Sequence, residues 1–287
     1  MYPYGYGPYY TEAYDWRWNP CYMRNDRLGH IHVPFLATNP SMQRSYHYPA
    51  SRASHRQLQH IESIGGREGA RIYRLKDAVI FKADMDIDLD GDPAAYHPNP
   101  NKAKLPFNQH GIAKDRQGRL CPVQTQGPHK GYWPSGTSLF DKKYWLDNPC
   151  DPNAYVNPEV YPYFVLPHPY YKDPKWGPVK IGDLGVVVNT LNGKMAYAIF
   201  ADAYTGKYIG EGSVELAREL GINPHSTEDK EDYKGGEQTK SIIYIIFPNS
   251  GQGQGTIPPL EQIRQVASQY FEAWGGMQQV HDVQNEL

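Results

Sequence analysis

The chain has 287 residues, a formal net charge of −2 and a mean hydropathy of −0.70. This length is enough for a sizeable hydrophobic core, in one large domain or two small ones. A charge so close to zero gives no general electrostatic reason to expect nucleic acid or an anionic membrane as a partner. No run of about 18 apolar residues occurs, so no transmembrane helix is expected.

The first 65 residues are rich in Tyr, Pro and Trp, and they begin MYPYGYGPYY. We interpret residues 1–65 as an N-terminal extension that packs on the main domain or remains unordered. The functional alternative is docking on a polysaccharide or a partner through aromatic faces. The start has neither a basic n-region nor an apolar h-region, so it does not resemble a conventional signal peptide. Residues 57–64 are predicted to form a short helix.

Residues 83–90 alternate strictly between apolar and acidic side chains. In a strand, a period of two places four carboxylates on one face: Asp84, Asp86, Asp88 and Asp90. Four like charges in a row repel, so a cationic ligand such as a positively charged sugar polymer would relieve them. The pattern D-x-D-x-D-G over 86–91 also matches the beginning of a calcium loop, but its twelfth position is His97 rather than a bidentate Glu. Calcium binding is therefore kept as the alternative.

Residues 97–180 are interrupted by prolines and carry many Tyr and Trp side chains. Loops of this length inside a domain are commonly functional, and their aromatic rings can stack on sugars. Within them, residues 163–166 are predicted to form a strand that Pro167 ends. Of the three cysteines, Cys121 and Cys150 are the expected disulfide pair because both lie in this loop-rich part, with three free thiols as the alternative. Their wide spacing does not predict a zinc site.

The most regular pattern runs from residue 181 to 221. Two apolar runs, 186–188 and 195–200, flank Asn192-Gly193, which favours a β-hairpin with a type I′ turn. Ser213 is the expected N-cap of a helix over 214–220, and Gly221 is its expected C′ residue.

Asp202 lies at the end of the second of these strands, and Glu211 lies at the entry to the helix. Glycines between them allow the loop to fold back and set two carboxyl groups across a cleft. Glycoside hydrolysis uses such a pair, one to protonate the leaving oxygen and one to activate water or attack the sugar. The alternative is a surface Asp in a turn and a Glu that supports a helix N-terminus.

The C-terminal third contains an apolar strand over 241–247 and a helical pattern over 259–274, which ends at Gly275-Gly276. Residues 278–287 are expected to be a loose tail. Because strands dominate, we predict a mostly-β fold, a closed or partly closed small β-barrel with few helices and long Pro/Tyr-rich loops. A six-stranded barrel of the double-psi type is expected only by analogy with other small barrels that cleave polysaccharides.

Several blocks together resemble the fungal and bacterial chitosanases of glycoside hydrolase family 75. They are FKADMDIDLDGDP, YVNPEVYPYFVLP, GDLGVV, AIFADAYTGKYIGEGSVELARELGI and SIIYIIFP, in this order over residues 72–250. The resemblance implies a catalytic domain over 66–277 that hydrolyses β-1,4 bonds between glucosamine units within chitosan and inverts the anomeric carbon. It implies that Asp202 and Glu211 are the two essential acids. We take Glu211 as the general acid, because packing at a helix entry can raise its pKa, and Asp202 as the general base. The exchanged assignment, with Asp202 as acid and Glu211 as base, is the alternative.

Further substrate-binding residues are predicted from the acidic row and from the sequence blocks that carry the resemblance: Asp84, Asp86, Asp88, Asp90, Asp183, Tyr204 and Ser213. The expected partner is chitosan or another cationic amino-sugar polymer, bound by a secreted monomer without a metal or cofactor. Two alternatives remain open. One is a hydrolase of another amino-sugar polymer, and the other is a non-catalytic protein that binds a polysaccharide or coat in a calcium-dependent manner.

Overall fold

Six β-strands close into a barrel, as the sequence predicts. The computed structural model describes residues 58–64, 69–105, 107–206, 208–225 and 235–287. The chain divides into two units, residues 1–53 and 54–287, and every described residue belongs to the second. The strands are β1 (Gln59–Ile64), β2 (Ala70–Leu75), β3 (Ala78–Asp88), β4 (Tyr163–Pro167), β5 (Leu184–Asn189), β6 (Met195–Tyr204), β7 (Glu211–Ser213) and β8 (Glu237–Phe247).

The ring closes because β3 pairs with a strand on each side. The sheet order is β1-β2-β3-β7-β4-β6-β5-β8, and β3 also pairs with β8. Strands β3 and β7 are parallel, as are β4 and β6, while the other pairs in the ring are antiparallel. Strands β1 and β2 continue the sheet from β3 outside the ring. Closure leaves no free edge among the six barrel strands.

Alternate residues of the barrel strands form the main core. Phe81 of β3 stacks on Tyr244 of β8 with ring centroids 4.7 Å apart, and Phe164 of β4 stacks on Phe200 of β6 at 5.8 Å. All four rings are at most 1% exposed. Burying each such side chain contributes on the order of 1.5–3 kcal/mol of hydrophobic stabilisation.

The helices are short except near the C-terminus. They are α1 (Lys142–Asp147), α2 (His168–Tyr171), α3 (Val214–Leu220), α4 (Leu260–Trp274) and α5 (Gly276–Val283). The predicted caps of α3 are confirmed, since Leu216 N donates to the Ser213 hydroxyl and Gly221 takes a left-handed φ of 68°. Nowhere in the described ranges is there a helix both long and apolar enough to cross a bilayer.

Three local predictions are corrected by the structure. Residues 59–64 are a strand rather than a helix, because the edge of β2 supplies hydrogen-bond partners along the segment. The β5–β6 hairpin is confirmed, but its turn is not type I′: Gly193 has φ 73°, whereas Asn192 is not among the described residues with positive φ. The C-terminal end is not loose, because α5 buries Val280 and Val283, which lie three residues apart on one helix face.

A disulfide cross-links the Pro-rich loops. Cys121 and Cys150 are bonded with their Cα atoms 5.5 Å apart, as expected. The same loops contact the barrel, since Leu139 N donates to Ala201 O at 2.8 Å. Cys21 and the Tyr-rich start of the extension lie outside the described residues.

Candidate active site

Glu211 is brought to the barrel by a close approach between its loop and β3. Asp86 N donates to Gly210 O at 2.8 Å, and Asp86 pairs with Glu211 where β3 and β7 run parallel. Gly210 has φ 107°, and a Cβ there would lie 2.5 Å from Oδ1 of Asp84. Only glycine fits such a position without strain. Gly210, in the loop that the sequence predicts to fold back, therefore holds Glu211 against β3.

Asp202 lies across one intervening strand from Glu211. On β4, Val165 pairs with Glu211 on one side and with Asp202 on the other. Two neighbouring-strand spacings put the Cα atoms of the two acids about 9–10 Å apart. The two acids therefore flank β4 at the same level.

A loop outside the barrel holds the Asp202 carboxylate. Oδ1 accepts hydrogen bonds from Ser138 N at 2.8 Å, from Ser138 Oγ at 2.6 Å and from Ala203 N at 2.8 Å. Burial raises the pKa of Asp202, while these donors, the serine hydroxyl foremost, lower it by stabilising the ionised form.

Two carboxylates of the acidic row join Asp202. Oxygens of Asp88, Asp90 and Asp202 all lie within 4.8 Å of one another. Asp88 Oδ1 accepts from Asp90 N at 2.8 Å, and Tyr96 Oη donates to Asp90 Oδ1 at 2.6 Å. Tyr163 Oη donates to the Asp90 carbonyl oxygen at 2.8 Å. We call Asp88, Asp90, Asp202 and Glu211 the carboxylate cluster.

The carboxylate cluster resists ionisation. Burial, followed by the charges of Asp90 and Asp202, raises the pKa of Glu211 from 4.5 to about 8. Burial and then Asp202 raise the pKa of Asp90 from 3.8 to about 7. Burial and then Asp90 raise the pKa of Asp88 well above its ordinary value. At neutral pH, Glu211 therefore keeps a proton that it can donate.

The other two members of the acidic row lie beside the cluster. Asp86 is exposed, and its charge is one of those that raise the pKa of Glu211. Asp84 is 9% exposed, and its charge raises the pKa of Tyr244, after burial as the main cause. The predicted alternation holds along β3, since Ala83 and Met85 enter the core. The row is nevertheless divided between buried and exposed positions.

Tyr204, at the end of β6, lies close to Glu211. Its side chain is 38% exposed, and burial followed by the Glu211 charge raises its pKa. The ring stacks with that of Tyr208, which is 57% exposed, with centroids 6.4 Å apart. Two exposed, stacked rings beside a carboxylate form a surface on which a sugar can pack.

The side chains of Asp183 and Ser213 form hydrogen bonds within the protein. The Asp183 carboxylate is 1% exposed and accepts from three backbone N–H groups, at Lys180, Asn249 and Gly251. Burial raises its pKa to about 6. The Ser213 hydroxyl, also buried, caps α3. The structure does not bring these two side chains into the carboxylate cluster, and their contact with substrate stays a prediction.

Three partners of the cluster were not predicted from the sequence: Ser138, Tyr96 and Tyr163. Ser138 and Tyr163 come from a loop and a strand far along the chain, whereas Tyr96 follows Asp90 by six residues, and no motif spacing relates any of them to the carboxylates. A serine in a loop and two tyrosines among 24 carry no distinguishing local signal. Only the folded structure shows the hydrogen bonds that these three side chains make.

The carboxylate cluster can also hold a cation. Asp88, Asp90 and Asp202 each offer one oxygen, which gives three of the six to eight ligands that Ca²⁺ takes. An ammonium group on a sugar needs only a few hydrogen-bond acceptors, so it also fits a site in which some carboxyl groups are buried and others are partly exposed. The arrangement therefore fits a cation.

Glycoside hydrolysis uses a pair of carboxyl groups, and comparison with known families gives the same class. The family model described as fungal chitosanase of glycosyl hydrolase group 75 matches residues 108–274, and the chain belongs to this family. The matched range includes Asp202 and Glu211, but the acidic row on β3 precedes it. No curated protein matches the chain.

Proposed function

We propose that the protein is an endo-chitosanase that hydrolyses β-1,4 bonds between glucosamine units, with Glu211 as general acid and Asp202 as general base. The observation that carries this proposal is the placement of the two acids on either side of β4 in different surroundings. Glu211 is held protonated near neutral pH by burial and neighbouring charge. Asp202 has three hydrogen-bond donors that favour its ionised form.

The reaction follows from these two states. Glu211 gives its proton to the glycosidic oxygen as the bond to the anomeric carbon breaks. Asp202 takes a proton from water, and the resulting hydroxide oxygen attacks that carbon from the opposite face. The anomeric configuration is thereby inverted. Inversion needs about 6.5–9.5 Å between the carboxyl groups to admit the water, and the separation of two strands supports such a gap.

The acidic surroundings favour a cationic substrate. Asp88 and Asp90 lie next to Asp202, and Asp86 is exposed beside Glu211. An ammonium group on the sugar stabilises the ionised form of these carboxyl groups and pairs with it, whereas an N-acetyl group carries no charge. Tyr204 provides a ring for sugar stacking. The proposal therefore assigns Asp86, Asp88, Asp90 and Tyr204 to substrate binding, with Asp84 as a supporting charge.

Secretion is part of the proposal. The Cys121–Cys150 disulfide is stable in an oxidising compartment, and an insoluble or polymeric substrate is encountered outside the cell.

The test is release of reducing ends from highly deacetylated chitosan. Asp202→Asn and Glu211→Gln should each lower kcat by about 10²–10⁴-fold, while Glu261→Gln, an exposed carboxylate at the start of α4, should leave it unchanged. The wild-type protein should show little activity on chitin. If either cluster variant keeps more than roughly a tenth of the turnover, that residue is not the acid or base.

A second candidate function is favoured by the three oxygens within 4.8 Å, which fit a calcium-dependent polysaccharide-binding protein. The same assay separates the two. Calcium-dependent polymer binding without reducing-end release would replace the hydrolase proposal. Release from another amino-sugar polymer, such as partly deacetylated peptidoglycan, but not from chitosan would keep the chemistry and change the substrate.

A further inference from the structure

Ser138 makes two of the three hydrogen bonds to Oδ1 of Asp202. Its backbone N–H donates at 2.8 Å and its hydroxyl donates at 2.6 Å. The hydroxyl oxygen also accepts from Ala203 N at 3.1 Å. A hydroxyl that already donates to a carboxylate and accepts from an amide is not arranged as a nucleophile.

The segment that carries Ser138 is tied to the barrel on both sides. Leu139 N donates to Ala201 O of β6 at 2.8 Å, so the serine is held one residue from the strand contact. Gln254 Nε2 donates to the Ser138 carbonyl oxygen at 2.9 Å. Thr137 Oγ1 donates to Leu139 O at 2.6 Å, which stiffens the turn around the serine. Ser138 therefore reaches Asp202 from a fixed backbone.

We propose that Ser138 is a positioning residue that favours the ionised form of Asp202 and fixes the orientation of its carboxylate. This inference rests on the proposed function, in which Asp202 is the general base. Burial favours a protonated Asp202, in which state it could not accept a proton from water. A hydroxyl that donates to the carboxylate opposes this effect of burial.

The two oxygens of the Asp202 carboxylate have different hydrogen-bonding surroundings. All the described hydrogen bonds to this carboxylate converge on Oδ1. Oδ2 is therefore the oxygen that the described residues leave to accept a proton from water. Loss of the Ser138 hydroxyl would both favour protonation and let the carboxylate rotate.

The test compares Ser138→Ala, Ser138→Thr and Ser138→Cys by the pH profile of kcat on chitosan. Ser138→Ala should move the acidic limb of the profile to higher pH and lower kcat on the order of tenfold on that limb, since one charge-assisted hydrogen bond is lost. Ser138→Thr keeps the hydroxyl and should restore the wild-type profile. Ser138→Cys keeps the shape but has a weaker donor, so it should shift the limb in the direction of Ala.

A direct titration separates this inference from the proposed function. Carbon-13 NMR of labelled Asp carboxyl groups, assigned with Asp202→Asn, follows protonation of Asp202 without any substrate. In Ser138→Ala its midpoint should rise, while the matched control Ser268→Ala, a serine on exposed α4 surface, should leave it in place.

The outcomes are distinct. An unchanged Asp202 titration in Ser138→Ala overturns the role of Ser138, whatever the activity. A fall in kcat that is uniform across pH, with no rescue by Thr, also overturns it and indicates a structural role only. Absence of chitosanase activity in the wild-type protein refutes the proposed function, yet a raised titration midpoint would still support control of Asp202 by Ser138. If Ser138→Ala does not fold, Ser138→Cys decides the same question.

Discussion

The raised pKa of Glu211 predicts a stability change that does not depend on knowing the substrate. The folded protein holds the Glu211 proton up to about pH 8, whereas the ordinary pKa is 4.5. Between these values the unfolded chain binds fewer protons than the folded one, so stability falls as pH rises. Substituting Glu211→Gln removes this group and should flatten the dependence.

The magnitude follows from the same values. Within this window, one proton held only by the folded chain lowers the free energy of unfolding by roughly 1 kcal/mol per pH unit, with an upper bound of roughly 2–3 kcal/mol between pH 5 and 7. Glu211 is partly exposed, so water screens part of the effect. We therefore expect a difference of roughly 1–2 kcal/mol between wild type and Glu211→Gln over this range.

The assay is urea unfolding at several pH values between 5 and 8, with Glu261→Gln as the matched control. The difference between the wild-type and variant slopes reports the loss of Glu211 together with the smaller pKa shift left at Asp88, which the Glu211 charge also raises, and both changes flatten the curve. Equal slopes for wild type and Glu211→Gln would refute the reasoning, and so would a control that flattens the curve equally.

Three further outcomes are expected. Removing the Cys121–Cys150 disulfide with Cys121→Ser and Cys150→Ser should lower the free energy of unfolding by about 3–4 kcal/mol, given a separation of 29 residues, and unchanged denaturant midpoints would contradict this. Tyr204→Ala should raise KM for chitosan on the order of two- to tenfold, while Tyr204→Phe keeps the ring and should not; equal effects would argue against stacking. KM for chitosan should rise with added salt, because salt screens exposed charges. Asp86→Asn should raise KM a few-fold and weaken the dependence of KM on salt, because one exposed carboxylate is lost. A variant whose KM responds to salt as steeply as that of wild type would exclude Asp86 from substrate binding.

The sequence by itself determined the local elements and much of the chemistry. The Ser213 and Gly221 caps, the apolar strand over 241–247 and the alternation along 83–90 depend on side-chain size, φ preference and period, which act between near neighbours. The mostly-β fold followed from the predominance of such strands, whereas the six-stranded barrel was expected only by analogy, and its closure depends on the pairing of β3 with β8. Family resemblance supplied Asp202 and Glu211 as the two acids, and the structure brings them to the two strands that flank β4.

Only the tertiary structure decided what surrounds these acids. Whether residues 59–64 formed a strand depended on the edge of β2, and whether the chain end stayed loose depended on a core face that accepts Val280 and Val283. The acidic row was divided because the approach of Gly210 to β3 placed Asp86 beside Glu211, while the chain beyond β3 carried Asp90 to Asp202.

Ser138 is the clearest case of what the sequence alone does not contain. It meets Asp202 across 64 residues, through a loop whose position depends on a disulfide and on backbone contacts with β6. Local propensity determines backbone conformation and the face that is buried, but it carries no information about which distant donor reaches a given carboxylate. That information lies in the strand order and in the packing of the loops, and these together set the proton affinity of the site.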